Sequence, residues 1–370
     1  MMNLESRPEL KRTLYCLAHA GGDLVIVCTP HEPVVLRSPS DVLKHLLTLL
    51  DGSRSVRQLR EQLQQLGLTC TEAEVLDKLS RLDALLLLED RTDESEESRV
   101  ARDESNRYHR QMLFLAAAQS GGTAFSAEAQ RRLSRTHLAV LGLGGFGSHI
   151  VYQAALMGFG KITAVDFDVA KSSDLNRQCL YAVSDVGRKK ADAAADRCQQ
   201  LNASVDYRFL DRRITGADDL TAVLEGVDLG ILSADTPREK IFSWMNEAAY
   251  ALGVPVLYAL GILQTCFRVG PLVMPGQTAC FDCSMAGREL VTGDPVAGFI
   301  NGRNRGGVIV PTIMMATGLM MFEALKHLTG FAECALYNRR LLVDLNTYAT
   351  RFEPFERRQE CPYCTEQPGL

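Results

Sequence analysis

The sequence predicts an α/β protein: a parallel α/β sheet preceded by a smaller α+β module. Three observations carry this. From residue 137 onward, strand-type and helix-type apolar patterns alternate, as they do where a parallel sheet is built from βα units. The first of those strands runs straight into a glycine-rich turn. Before residue 90 the order is different, short strands first and helices after, and a charged spacer separates the two regions. At 370 residues the chain exceeds a comfortable single domain, and its 46% hydrophobic content is enough to fill two cores.

In the N-terminal region, residues 14–18, 24–28 and 34–37 are short apolar runs. Gly21-Gly22-Asp23 and then Pro30 and Pro33 separate them, which reads as three strands and their turns. Ser38-Pro39-Ser40 opens a helical period with Val42, Leu43, Leu46, Leu47 and Leu50 on one face, and Asp51-Gly52-Ser53 stops it. A second helix from about Val56 carries Leu59, Leu63 and Leu66. A third, opened by Thr71 with Glu72 and Glu74 behind it, carries Val75, Leu76, Leu79 and Leu82. Three strands followed by three helices suits a winged-helix domain over residues 1–90. Residues 91–106 are rich in Asp, Glu, Arg and Ser with no apolar period, so they read as a linker. Residues 107–370 form the second domain. Its strands are expected at 137–141, 161–166, 205–210 and 227–233, and its helices at 146–157, 186–198 and 220–224.

Several function classes are disfavoured before any motif is read. A net charge of −5 argues against a general nucleic-acid or membrane-surface binder. The stretch 1–14 lacks the apolar core of a secretion signal, so a cytoplasmic protein is expected. The most apolar stretch, 308–322, contains Pro311 and Gly318 and is too short to cross a bilayer comfortably.

Leu138-Ala139-Val140-Leu141 leads into Gly142-Leu143-Gly144-Gly145-Phe146-Gly147, a GxGxxG. Such a turn is tight, lets backbone approach phosphate oxygens, and aims the amides of the following helix at them. Asp166 ends the next strand, where an acid takes a ribose hydroxyl. This much fits a Rossmann-like domain and an NAD dehydrogenase as well as anything else. The charged run that follows tips the balance: DFDVAKSSDLNRQ at 166–178, VGRKKA at 186–191 and SADTPREK at 233–240. Hydride transfer has no need of this series, whereas a triphosphate with about four negative charges needs cations and a metal.

Eleven cysteines in such a chain point to thiols or metal ligands rather than a disulfide framework. Cys280/Cys283 and Cys361/Cys364 form two CxxC pairs that can supply four thiolates to a tetrahedral Zn²⁺. The gap between them is long for a zinc finger, and Cys361-Pro362-Tyr363-Cys364 also matches a glutaredoxin-type redox motif, although only six residues follow it. Cys16, Cys28, Cys70, Cys179, Cys198, Cys266 and Cys334 are scattered and read as small core hydrophobes.

Taken together, RYHRQ at 107–111, GLGGFG, DFD, the DLNRQ run, VGRKKA and the aspartate after the fourth strand resemble the E1-like activating superfamily. That superfamily includes the bacterial activators of the molybdopterin and thiamine sulfur carriers and, more distantly, ubiquitin-activating enzymes. The resemblance spans roughly residues 105–365 and implies an ATP-dependent, Mg²⁺-using adenylation domain. By position, Gly142, Gly144 and Gly147 would admit the nucleotide, with Asp166 on the ribose and Asp168 and Asn176 completing the contacts. Arg177 and Lys190 would meet the phosphates and Asp235 would coordinate Mg²⁺. Arg110 would reach the partner subunit's site in a homodimer as an arginine finger. Arg188 and Lys189 read as surface ion-pair residues. Cys280, Cys283, Cys361 and Cys364 would hold a structural zinc ion, and the helix after Pro311 would form the dimer interface.

Two departures from the superfamily's pattern stand out: Asp174 stands where asparagine is usual, and Ala234-Asp235-Thr236 where Thr-Asp-Asn is usual. The loop 284–310 also lacks the reactive cysteine of carrier activators, which points to direct attack on the acyl-adenylate. Its Arg303 and Arg305 would suit gripping a peptide. LLDGSRSVRQL at 49–59 resembles domains that capture leader peptides as an added strand beside the third strand, against the third helix. The helix at 71–83 is net acidic, which disfavours contact with nucleic-acid phosphates. The expectation is therefore a peptide-modifying enzyme similar to those that make microcin C7 and pantocin A. It would activate a glutamate side chain of a precursor peptide and close a ring with loss of water. Adenylation of a sulfur-carrier C-terminus and a non-catalytic, leader-presenting scaffold are the alternatives.

Overall fold

The computed structural model describes residues 2–27, 33–92, 96–118, 122–238, 240–286 and 307–364. Its backbone forms two compact units, Met1–Arg131 and Arg132–Leu370.

In the first unit, β1 (Pro8–Leu10) leads into an antiparallel sheet of β2 (Tyr15–Ala18), β3 (Leu24–Val27) and β4 (Val34–Leu36), with β3 in the centre. α1 (Asp41–Leu49), α2 (Val56–Gln65) and α3 (Glu72–Ala84) follow, and β5 (Leu88–Asp90) closes on β1. Each helix starts where its sequence offers an oxygen to the orphan amides of the first turn. Ser40 caps α1, while Ser55 with Gln58 and Thr71 with Glu74 form capping boxes on α2 and α3. Leu46, Leu59, Leu63, Val75, Leu79 and Leu82 pack with Ile26 of the sheet in one apolar core, the faces that the helical period predicts.

The charged spacer is not featureless: Glu96–Arg102 is helical (α4). α5 (His109–Ala118) and α6 (Gly122–Arg135) come next. The units divide at Arg131, so the stretch 107–131, assigned by resemblance to the second domain, clusters with the first unit.

The second unit is built on an eight-stranded sheet. Its elements run β6 (His137–Leu141), α7 (Gly145–Met157), β7 (Lys161–Asp166), α8 (Lys190–Leu201), β8 (Asp206–Asp211), α9 (Ala217–Leu224), β9 (Leu229–Leu232), α10 (Ile241–Leu252) and β10 (Val256–Leu263). β11 (Cys266–Val273), the short α11 (Phe281–Ser284), α12 (Val310–Thr329), β12 (Arg339–Asp344) and β13 (Thr350–Pro354) complete it. Strands 8-7-6-9-10 lie side by side and parallel, and β11, β12 and β13 extend the sheet antiparallel from β10. The chain builds outward from β6 on one side and then returns to its other side through β9. A crevice therefore opens between the carboxyl ends of β6 and β9, where ligands bind in such folds. The helix expected over 186–198 begins only at Lys190, because a 3-10 turn at Val183–Asp185 and a left-handed Gly187 (φ +89) precede it.

Cys70, Cys198 and Cys334 are buried as expected of core hydrophobes, and Cys179 and Cys266 are half-buried. Cys16 is a correction: it sits on β2, an edge strand whose residues are all exposed. Cys28 lies outside the described residues. Among the described residues, no helix is long and apolar enough to cross a membrane.

Candidate functional site

The crevice is shaped first by glycine. Gly142 follows β6 with φ +91, a backbone region that L side chains rarely adopt. A side chain there would also meet the backbone nitrogen of Ala234 at 2.8 Å. Gly147 packs against the Gly142 carbonyl so closely that no side chain fits, while Gly144 has open space before it. The turn is thus tight on its protein side and clear on its outer side, and Gly144 caps α7 with no side chain over the helix amides. Ser233, after β9, donates to the carbonyls of Leu141 (2.8 Å) and Gly142 (3.0 Å), joining the ends of β6 and β9.

Asp166 ends β7 and accepts from the Leu143 amide (2.6 Å) through one oxygen and from the Asp168 amide (2.8 Å) through the other. Each oxygen keeps a second lone pair, so the carboxylate can still accept from a ribose hydroxyl. Just beyond the ends of β7 and β8, the Arg213 guanidinium lies 3.7 Å over the Phe167 ring.

Lys190 opens α8 and is buried, with its Nζ 3.7 Å from Asp168 and 3.8 Å from Asp174. Those separations are ion-pair distances too long for hydrogen bonds, so its ammonium hydrogens can turn to another acceptor. Asp174 is the hub of the loop after β7. It accepts from the Lys171 amide (3.0 Å), Gln178 Nε2 (2.9 Å) and Arg177 (3.3 Å). An asparagine could not serve these three donors and a lysine equally well, which gives the departure at 174 a local reason. Arg177 further donates to the Ser173 carbonyl (2.5 Å) and Asn176 Oδ1 (3.1 Å). Arg188 pairs with Asp185 and Asp196, and Lys189 with Asp211, all at the surface.

Asp235 follows the Ala234 that abuts Gly142. Its side chain is 74% exposed, with Arg238 at 3.7 Å. An exposed carboxylate at the crevice fits Mg²⁺, which takes one or two protein carboxylates and otherwise keeps water and phosphate oxygens. Arg110 is exposed on α5, in the other unit. Arg303, Arg305 and most of the loop 284–310 lie outside the described residues.

The two CxxC pairs meet although 81 positions separate Cys280 from Cys361. All four sulfurs lie within 4.8 Å of one another. Cys280–Cys361 is 3.5 Å and Cys283–Cys364 3.8 Å. A tetrahedron with Zn–S bonds of about 2.3 Å has S···S edges of about 3.8 Å, so the cluster has the dimensions of a zinc site. Backbone amides already face the sulfurs: Cys283 N to Cys280 (3.4 Å), Cys280 N to Cys364 (3.4 Å) and Arg358 N to Cys283 (3.3 Å). Burial pushes the Cys280 thiol up. For Cys361 burial acts the same way, but the amides of Tyr363 and Cys364 and the neighbouring thiols outweigh it and bring the thiol down to about 7.

Sequence reasoning missed Gln178, His149 and Tyr181 in this region. His149 Nε2 faces the Arg177 carbonyl at 3.1 Å, and the Tyr181 hydroxyl donates to the Leu143 carbonyl at 2.9 Å.

Comparison with known proteins follows the same lines. The family model described as the ThiF family matches residues 108–364. The sulfur carrier protein adenylyltransferase of Thermus thermophilus is 30% identical over 274 residues, covering 73% of this chain and 94% of that protein. Among solved structures, E. coli MccB with ATP superposes with a TM-score of 0.79 at 21% identity, over 96% of this chain and 99% of that one. The microcin C7 biosynthetic enzyme MccB in complex with N-formylated MccA gives 0.80 at 20% identity, with the same coverage. PaaA gives 0.72 at 24% identity, over 94% of this chain and 100% of that one. At these identities the structural likenesses speak for the fold.

Proposed function

Because this chain belongs to the ThiF family and is an ATP-dependent adenylating enzyme, we propose that the carboxyl group it activates belongs to a ribosomally made precursor peptide. The observation that carries this reading is the N-terminal unit. Its edge strand β4 pairs only with β3 among the described residues, which leaves one row of backbone groups for an added strand. α3 is net acidic, with Glu72, Glu74, Asp77 and Asp83 against Lys78 and Arg81, so a nucleic-acid partner is disfavoured.

In the proposed reaction, Gly142, Gly144 and Gly147 admit the phosphates, and Asp166, Asp168 and Asn176 hold the nucleoside end. A peptide carboxylate oxygen attacks the α-phosphate in line. The new O–P bond replaces the bond to the β-phosphate, and pyrophosphate leaves with the electron pair. Lys190 and Arg177 stand where charge spreads onto phosphate oxygens, and Asp235 would hold Mg²⁺, which supplies further neutralisation when bound. Catalysis is then positioning and electrostatics. Arg110 acts from the partner subunit of a homodimer formed through α12. The acyl-adenylate, on a glutamate side chain, is attacked by an atom of the same peptide. AMP leaves, so the peptide loses one water and gains a ring, as in enzymes of the pantocin A kind. Cys280, Cys283, Cys361 and Cys364 would hold zinc, which staples the chain after β13 to α11.

The 30% identity to a sulfur carrier protein adenylyltransferase favours a second reading, in which the carboxyl group is a carrier's C-terminus. Incubating the enzyme with Mg-ATP and candidate Glu-containing peptides, followed by mass spectrometry, separates the two. Loss of water from the peptide supports ring closure. No change in the peptide, with an adenylate formed on a carrier C-terminus, rejects it. Carboxylate labelled with ¹⁸O must pass its label to AMP; label in inorganic phosphate would mean phosphorylation.

A further inference from the structure

We infer that Tyr181 is a positioning residue for the triphosphate: its hydroxyl fixes the peptide plane that aims the Gly144 amide out of the glycine turn. The inference rests on the nucleotide reading of that turn. Leu143 is held on both of its peptide groups. Its N–H donates to Asp166 at 2.6 Å, and its carbonyl accepts from Tyr181 Oη at 2.9 Å. The Leu143–Gly144 peptide is planar and trans, so its C=O and N–H point in opposite directions. Tyr181 is only 8% exposed, which places the accepting side of this plane inside the protein. The Gly144 N–H must then point away from Tyr181, and the turn is also open at the Gly144 Cβ position, where nothing lies within 4 Å. A turn without this tie can rotate the plane and lose the donor that a phosphate oxygen needs.

Two further contacts bind the loop that carries Tyr181 to the same helix. His149 Nε2 faces the Arg177 carbonyl at 3.1 Å, and Cys179 Sγ faces the Ser148 carbonyl at 3.4 Å. The loop bearing Asp174 and Arg177 and the turn bearing Gly144 are thus one body. Burial, with Asp166 and Asp174 nearby, raises the Tyr181 phenol and keeps it protonated as a donor. Burial also lowers His149, which stays a neutral imidazole.

The test uses the full-length protein and calorimetry with Mg-ATP and with adenosine. Tyr181→Phe keeps the ring and removes the hydroxyl. Its affinity for Mg-ATP is expected to fall roughly fivefold to tenfold, while adenosine binds as in the parent. His149→Leu should weaken Mg-ATP in the same selective way, and His149→Gln, which retains a side-chain N–H, should restore it. If Tyr181→Phe binds Mg-ATP within about twofold of the parent, or loses ATP and adenosine in parallel, the inference is wrong. A parent protein that takes up neither ligand would remove the nucleotide reading itself, and the inference with it.

Discussion

Consider replacing each of two glycines in the same turn by alanine. At Gly147 an added methyl collides with the Gly142 carbonyl oxygen, and it lies 2.7 Å from that carbonyl's carbon and 2.8 Å from Ser233 Oγ. Real Cβ atoms essentially never come within 3.0 Å of such neighbours. Two of the three obstacles are backbone, so no rotamer change relieves them, and the turn must open. An opening on the order of 1 Å costs about 1–3 kcal/mol as overpacking, and a displacement of that size at a reacting centre costs roughly 100-fold in rate. At Gly144 an added methyl meets nothing within 4 Å, and φ is −72, outside the left-handed region that excludes L side chains. Gly144→Ala should therefore melt like the parent yet bind Mg-ATP poorly, because its methyl occupies the side the phosphates approach. Gly147→Ala should lose both stability and binding. Thermal unfolding and calorimetry read the two effects separately. Parent-like ATP binding by Gly147→Ala would refute the packing argument, and parent-like binding by Gly144→Ala would refute the direction of approach.

Other consequences follow from the same geometry. Protein purified without chelators should carry one zinc ion per chain. Cys283→Ser or prolonged chelation should remove it and lower the melting temperature, whereas metal analysis finding no zinc would reject the site. His149 titrates below its ordinary value of 6.5 because of burial, so the unfolded chain binds the proton first as pH falls. Its contribution to stability is complete above about 6.5 and is lost as pH falls through the folded value; His149→Gln should flatten unfolding curves across that window. Asp235→Ala should abolish ATP-dependent turnover while thermal stability holds, because its exposed side chain packs against little; retained turnover would remove it from the mechanism. Arg110→Ala and Asp235→Ala should each be inactive alone. Their mixture should regain part of the activity, since a mixed dimer holds one site with both residues intact; no recovery would contradict action across subunits.

The parts of the fold that were legible are those where local chemistry and tertiary packing agree. β6 and β7 end where the sequence places a glycine turn and an aspartate, and the three capped helices of the first unit start at their serines and threonine. β1 and β5 were not legible. Pro8-Glu9-Leu10 is three residues long, and its partner lies some 80 positions away, so neither periodicity nor turn chemistry announces the pair. α4 is short and charged, and its helix has no apolar stripe to show. At the site, the glycines, acids and cations stood out because they are unusual in sequence. Tyr181 and His149 did not, since their partners are backbone carbonyls, which leave no signature. Asp174 read as a departure from the superfamily's pattern, and only its four neighbours explain it. The CxxC pairs were visible, but their convergence across 81 positions of chain needed either the resemblance or the structure.

The account stands on cationic side chains and an exposed carboxylate converging beside the glycine turn to receive a triphosphate. Titrating the full-length protein in parallel with Mg-ATP and with NAD tests that directly. Saturable Mg-ATP binding, lost in Lys190→Ala, with no uptake of NAD, is the predicted result. Tight NAD binding with none for ATP would contradict it.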